Sequence, residues 1–255
     1  MSTESHVRRI DLGAAMPGVA EIVLDRPEKR NAQTPAMLTA IARHAAEISA
    51  DPAIRAIVVR GEGPVFCAGF DLDLCRDDDS ALPALLTTLP AAIRALRRCP
   101  QPVVIAARGA AIAGGCALLG GADLVISHAE AKLGYPVLRL GISPAVNAPS
   151  LRPALTDAEL RRRLLVPELF TGTEARRIGL VHQIVDTPED VVPRAQIEAS
   201  AFAKKPPGAI ATTKRWLNDL DGSMDDAVFD EALAVSLGLA GSDEQRALLA
   251  AAQRR

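Results

Sequence analysis

Aromatic residues are scarce, with five Phe, one Trp and one Tyr in 255 residues. A protein that stacks single-stranded bases on aromatic platforms needs more of them. Charge of one sign is also missing: 29 Lys and Arg stand against 31 Asp and Glu, a net charge of −2. No global basic field draws in nucleic acid or an anionic membrane, so an anionic ligand has to be met by a local patch. The cysteines, Cys67, Cys75, Cys99 and Cys116, sit among apolar residues without Cys-x-x-Cys spacing, and the histidines are scattered singly. These absences predict no metal site and a reduced, cytoplasmic setting. The first twenty residues place Arg8, Arg9 and Asp11 where a signal peptide needs an apolar run. The most membrane-like stretch, Pro102 to Ala122, is broken by Arg108, and a central Arg costs about 2.5–3.5 kcal/mol in a bilayer. Neither nucleic acid nor membrane is expected as a partner. The 18 Gly and 18 Pro follow no fixed period, which excludes collagen-like chains.

What is present is a high apolar fraction, 49%. A chain of this length buries about three quarters of the surface its unfolded form exposes. It therefore needs no staple, and its length predicts one large domain, or one domain with an appendage. Val7–Leu12, Val19–Asp25, Ile54–Arg60, Pro102–Ala107, Asp123–Ser127 and Val181–Val185 read as strands. Thr34 is placed as N-cap with Pro35 at the first helical position, ahead of apolar residues at helical spacing from Met37 to Ile48. Ser80 to Arg98 reads as a helix in which Pro90 forces a kink or a break, and Ile112 to Gly121 as a short helix of small residues. Repeated crossovers of this kind favour an α/β fold with largely parallel strands. From Pro149 onward strand signals nearly vanish, and helical patterns cover Thr187–Lys204, Pro207–Leu220, Met224–Leu239 and Ser242–Gln253. The expected division is a core of residues 1–186 and a helical oligomerisation region of residues 187–255.

Two glycine-containing segments follow strands and precede helices: Pro64 to Leu72 and Arg108 to Ala117. The first N–H groups of a helix lack partners inside it, and glycine lets a ligand approach the backbone. Two such turns facing one another would hold two N–H donors around one oxygen, an oxyanion hole. Neither segment is a nucleotide loop, since Gly-x-Gly-x-x-Gly and Gly-Lys-Ser/Thr are absent. For either segment alone, close packing is an equally good explanation.

Five blocks in order carry a resemblance. They are Leu24-Asp25-Arg26-Pro27-Glu28-Lys29-Arg30-Asn31-Ala32, Phe66-Cys67-Ala68-Gly69-Phe70-Asp71-Leu72, Ala113-Gly114-Gly115-Cys116, Gly134-Tyr135-Pro136 with Arg139-Leu140-Gly141-Ile142, and Thr171-Gly172 through Ala175 to Ile178-Gly179-Leu180-Val181. With them the chain resembles the crotonase superfamily, the enoyl-CoA hydratase/isomerase family, nearly end to end. The resemblance implies a spiral of ββα units with a C-terminal helical appendage, assembled as a homotrimer or a dimer of trimers. It implies an acyl-CoA ligand, with no further cofactor, whose thioester oxygen accepts from the backbone N–H groups of Phe70 and Gly114. It also implies CoA contacts at Arg26, Lys29, Arg30, Ala32, Ala68, Gly69, Asp71 and Leu72. The cations Arg26, Lys29 and Arg30 would supply the local patch that an anionic ligand needs.

The chain departs from the family where the acid–base chemistry sits. Family hydratases carry two glutamates, and the matching positions here are Ala117 and Val137. Neither side chain exchanges a proton, so classical hydration is expected to be severely impaired. Tyr135, beside the vacant Val137 position, is a candidate donor, although a buried Tyr with one structural hydrogen bond is the plainer reading. Asp77, Asp78 and Asp79 are expected to cap the helix near Ser80, and His128 to lie at the surface. Ser143 and Asn147 fall in a region that lines the acyl pocket in relatives. Three readings follow: an acyl-CoA enzyme with altered acid–base equipment, a decarboxylase of malonyl-type CoA thioesters, or a catalytically silent acyl-CoA-binding protein. A protease on the same spiral fold is disfavoured, because the two turns offer neither a nucleophilic Ser nor a His.

Overall fold

The computed structural model describes residues 5–252. Gln253 of the expected last helix, and the ends of the two expected regions, lie outside the described residues. In chain order the elements are β1 (Val7–Asp11), β2 (Val19–Leu24), α1 (Pro35–Ser49), β3 (Ala56–Gly61), α2 (Leu72–Asp77), α3 (Ala81–Arg98), β4 (Val103–Ala106), β5 (Ala110–Ile112) and α4 (Gly114–Ala117). They continue with β6 (Leu124–His128), β7 (Lys132–Gly134), α5 (Ala148–Leu151), α6 (Asp157–Leu165), β8 (Leu169–Thr171), α7 (Gly172–Ile178), β9 (Gln183–Val185), α8 (Val191–Ala203), α9 (Pro207–Leu220), α10 (Asp226–Leu237) and α11 (Asp243–Ala252). Short 3-10 turns at Pro136–Leu140 and Pro144–Asn147 join β7 to α5.

Six strands form one sheet in the order β1-β2-β3-β4-β6-β9, in which only the β1–β2 pair is antiparallel. The remaining three, β5, β7 and β8, form a second small sheet. Alternation along the strands assigns the two faces of the large sheet. Ile22, Leu24, Ile57, Val59, Val103 and Ile105 face the main core, which contains Leu38 and Ile41 of α1 and Leu85, Leu89 and Ile93 of α3. Val19, Ala56, Val58, Val104 and Ile126 face the other way, against Val191, Ala195, Ala199 and Ala203 of α8. The four α8 residues recur every fourth position, one stripe of a helix laid across the sheet.

Several expectations are met at the level of single atoms. Thr34 Oγ1 accepts from Met37 N at 3.2 Å and starts α1. Of the three acids expected at the start of α3, Asp78 is there, its Oδ1 accepting from Ser80 N at 2.8 Å and from Ser80 Oγ at 2.6 Å. Asp77 instead ends α2 and pairs with Arg76, and Asp79 pairs with Arg246.

Others are corrected. Of the kink or break expected at Pro90, the break does not occur: the helix runs from Ala81 to Arg98. The Pro90 ring is buried beside Leu86, Leu89 and Ile93, and that packing offsets the lost backbone bond. The helix expected over Ile112–Gly121 begins two residues later, as α4 from Gly114 continued by a 3-10 turn to Gly121, while Ile112 closes β5. Strands β7 and β8 carry no sequence signal of their own, because three residues are too few to display a period.

Candidate active site

The first glycine turn is held by long-range backbone contacts. Asn31 Nδ2 donates to the carbonyls of Glu62 and Val65 at 2.9 and 2.8 Å, pinning the loop that leaves β3. Cys67 N donates to Ala110 O at 3.1 Å and Ile112 N to Cys67 O at 3.0 Å, which ties the turn to β5. Gln33 then pairs alongside Phe70 in parallel: Gln33 N donates to Gly69 O at 2.7 Å, and Asp71 N to Gln33 O at 2.9 Å. In a parallel pairing the residues flanking Phe70 carry those bonds, so the N–H of Phe70 itself points away from Gln33. Gly69 has a φ of 97°, which an L side chain rarely adopts.

The second turn reaches the same place by a different route. Ala113 N donates to Gly134 O at 2.7 Å. The Ala113 backbone sits at φ 52°, ψ −116°, a conformation that costs a non-glycine residue about 1–3 kcal/mol. That twist turns the chain from β5 into α4 and makes Gly114 its first residue, whose N–H has no partner within the helix. Among the described residues, no acceptor in the chain takes the N–H of Phe70 or of Gly114. The turns are in close contact. A Cβ added to Gly114 would lie 2.9 Å from Phe70 Cε1, and one added to Gly69 would lie 2.9 Å from Ile112 O.

Phe70 and Gly114 both line one cavity of about 120 Å³, walled by Leu86 and Leu89 of α3, Val137, and the 3-10 turn that ends at Asn147. No Asp, Glu, His, Lys or Arg is among the lining residues. A dipole aimed into such an apolar space acts more strongly than it would in water.

The other site residues expected from the sequence are divided. Ala68 and Leu72 line this cavity, as does Val137. Ala117 is fully buried and is not in the lining. Tyr135 is likewise enclosed in the core and is not among the lining residues. Its hydroxyl meets only the Cys116 thiol, without a well-formed hydrogen bond, and burial holds its pKa well above the ordinary value.

The cationic cluster differs from its expected form. Arg26 Nη1 is committed to Asp71 Oδ2 at 2.5 Å and to the Ala32 carbonyl at 3.2 Å, so it clamps the turn rather than standing open. The same Asp71 caps α2, its Oδ1 accepting from Asp73 N at 3.1 Å. Lys29 pairs with Asp73 at 3.0 Å on the surface, and Arg30 is exposed. Arg26 and Asp71 border a second cavity of about 420 Å³ with Thr34 and Ala84. Phe70 and Leu72 face one cavity and Asp71 the other, so the two are separated by a single strand of backbone. His128 is buried rather than superficial: its Nε2 accepts from Gly109 N at 3.0 Å, and burial lowers its pKa.

Two features escape the sequence reading. Gln33 is fully buried against Gly114 and Phe70, and neither Oε1 nor Nε2 has a partner. A lone uncharged polar residue just before a helix cap gives only a weak hint of such a position. The strain at Ala113 leaves no trace at all, because nothing in the letter Ala signals a positive φ.

The four cysteines are buried, and none lines the cavity that Phe70 and Gly114 share. Burial pushes Cys67, Cys75 and Cys116 up to about 12, and Cys99 is raised as well. Thiolates are therefore nearly absent at pH 8. With a chromogenic disulfide reagent at pH 8, the folded protein is expected to show no fast-reacting thiol, and the four buried cysteines should react once it is denatured. A fast-labelling thiol in the native protein would contradict this.

With the geometry described, the chain can be set beside known proteins. The family model described as enoyl-CoA hydratase/isomerase matches residues 15–231. The chain is 28% identical over 241 residues to a crotonyl-CoA hydratase of Syntrophomonas wolfei, covering 93% of this chain and 92% of that one. It is 28% identical over 219 residues to the 1,2-epoxyphenylacetyl-CoA isomerase of Escherichia coli, with 84% and 83% covered. The crystal structure of an enoyl-CoA hydratase/isomerase from Xanthobacter autotrophicus superposes with a TM-score of 0.85 at 29% identity, over 98% of this chain and 93% of that one.

Proposed function

The chain belongs to the enoyl-CoA hydratase/isomerase family, and from that premise we propose that it is an acyl-CoA enzyme whose Phe70 and Gly114 amides hold a thioester oxygen as an enolate forms. One observation carries this reading: Phe70 and Gly114, whose backbone N–H groups have no partner in the chain, line a single cavity without a charged residue. A carbonyl oxygen gains negative charge as its thioester enolises, so donors fixed in an apolar space favour that state over the ground state. The strain at Ala113 supports the same reading, since backbone strain persists where surrounding structure holds a group in place for use.

The vacant Ala117 and Val137 positions limit what the enzyme does next. No carboxylate or imidazole lines the cavity to move a proton, so hydration of a 2-enoyl thioester is expected to be slow. Decarboxylation of a malonyl-type thioester is a second reading favoured by this uncharged lining. There the electrons of the breaking C–C bond enter the enolate, carbon dioxide leaves, and water supplies the proton to the α-carbon. An apolar wall disfavours the departing carboxylate more than the neutral product.

We place the nucleotide end of CoA on the side of Arg26, Lys29, Arg30 and Asp71. Lys29 and Arg30 supply exposed positive charge there, while Arg26 braces the turn. Self-association as a trimer or a dimer of trimers is supported by the exposed Trp216, Leu217 and Leu220 of α9 and Val235 of α10. A cytoplasmic setting is supported by four unpaired, buried cysteines. No helix among the described residues is long and apolar enough to cross a membrane.

The purified protein, its mass first measured by light scattering, would be offered crotonyl-CoA, a 3-enoyl-CoA, methylmalonyl-CoA and an aryl-CoA thioester. Turnover of at least one is expected, with crotonyl-CoA converted poorly. Binding without conversion across the panel would favour the silent binder. No binding would remove the acyl-CoA reading, and a monomeric mass the assembly.

A further inference from the structure

Gln33 touches both glycine turns. Its backbone belongs to the first, where Gln33 N donates to Gly69 O at 2.7 Å and Gln33 O accepts from Asp71 N at 2.9 Å. Its side chain reaches the second: Oε1 fills the space that a Cβ on Gly114 would need, beside the Phe70 ring. The segment carrying Gln33 has little freedom. Arg30 O accepts from Ala68 N at 3.0 Å, Ala32 O from Arg26 Nη1 at 3.2 Å, and Thr34 caps α1. A side chain rooted in this way passes its length on to whatever it meets.

Gln33 is fully buried, and among the described residues neither Oε1 nor Nε2 has a partner. A carboxamide left so costs stability that an apolar side chain of the same shape would not. With no hydrogen bond made by the amide, contact is what the side chain supplies.

We infer that Gln33 is a positioning residue, whose side chain sets the separation of the Phe70 and Gly114 N–H groups by its length and not by its amide. This rests on the oxyanion reading above and deepens it. Gly114 has no side chain to keep its own distance from Phe70, so the gap is held open by a neighbour. A shorter side chain leaves a void into which close-packed surroundings relax only in part. Gly114 then shifts, and an oxygen that met both N–H groups meets one of them poorly. Gln33 itself is not among the cavity-lining residues, so it acts through the two turns and touches no substrate atom.

Two substitutions separate length from polarity. Gln33→Met keeps the length and drops the amide, whereas Gln33→Asn keeps the amide and drops a methylene. Each full-length protein would be loaded with butyryl-CoA labelled with carbon-13 at the thioester carbonyl, and isotope-edited infrared spectroscopy would read the carbonyl stretch. Two fixed donors lower that frequency. The wild type and Gln33→Met are expected to show the same downshift, and Gln33→Asn to lose the larger part of it. For a thioester that is turned over, Gln33→Asn should lower kcat by at least about tenfold with KM little changed, since a misplacement of about 1 Å can cost 10²-fold. Gln33→Met should keep kcat and melt no lower than the wild type. Gln33→Leu, with the reach of Asn, stands in if the Asn variant does not fold, and should show the same loss. A shorter side chain that lowers the melting temperature but leaves the carbonyl frequency unchanged overturns the inference, by making Gln33 a packing residue only. The reverse order, with the shift kept by Asn and lost by Met, overturns it by assigning the effect to the amide. A wild type that binds butyryl-CoA without a downshift, or does not bind it, fails the oxyanion reading itself and takes this inference with it.

Discussion

Gly114→Ala is expected to lower kcat/KM by about 10²–10³ for whichever thioester of the panel is turned over, the usual loss on removing one donor to a developing oxyanion. The argument is steric before it is electrostatic. The added Cβ would lie 2.9 and 3.1 Å from Phe70 ring carbons and closer still to Gln33 Oε1. None of these atoms is backbone, so the fold survives by shifting two side chains. Yet Gln33 pairs directly with the residues on either side of Phe70, so its displacement disturbs both proposed donors together. Steady-state kinetics with a parallel thermal melt decide the matter. A variant that folds and retains its rate would show that these amides do not carry the reaction. A melt far below that of the wild type would instead mark Gly114 as a packing residue.

Restoring the missing carboxylates has the opposite sign. Ala117→Glu combined with Val137→Glu is expected to raise crotonyl-CoA hydration by at least about 10²-fold over the starting protein, the lower end of what general acid–base groups contribute. The two positions are not equivalent. Val137 lines the cavity, so a carboxylate there reaches substrate and water directly. Ala117 is enclosed in the core, so a glutamate introduced at that position has to find room and is held neutral by burial unless it turns toward the cavity. Val137→Glu alone is therefore the better tolerated change, and the double variant should melt at a lower temperature. The hydration assay, following loss of enoyl absorbance, reads the outcome. No gain in a protein whose circular dichroism is unchanged would show that the space for the attacking water has closed.

Both expectations depend on features that differ in how far they can be read from the letters. Thr34-Pro35, the alternating strands and the two glycine turns are legible, because caps, sheet faces and tight turns impose residue types locally. The lack of an exchangeable proton at Ala117 and Val137 is legible too, since a methyl or isopropyl group has none wherever it lies. Arg26 reads as an open cation because its partner Asp71 is forty-five residues away, and charge in a sequence carries no address. Tyr135 reads as close to the Val137 position on adjacency alone, and the fold encloses it in the core outside the cavity lining. Pro90 reads as a kink or a break because the rule for isolated helices omits the core in which the ring is buried.

By itself, then, the sequence determined the alternation of strand and helix, the places of the two glycine turns, and the lack of an exchangeable side-chain proton at Ala117 and Val137. All are properties of residue type and short spacing. The folded chain decided which amides lack partners, that Ala113 bears the strain turning Gly114 into place, that Gln33 and Asn147 are buried with side-chain atoms unpartnered, and that Arg26 is neutralised. Each of those depends on atoms brought together across tens of residues, where hydrogen bonding and desolvation act on distance in space and not on distance along the chain.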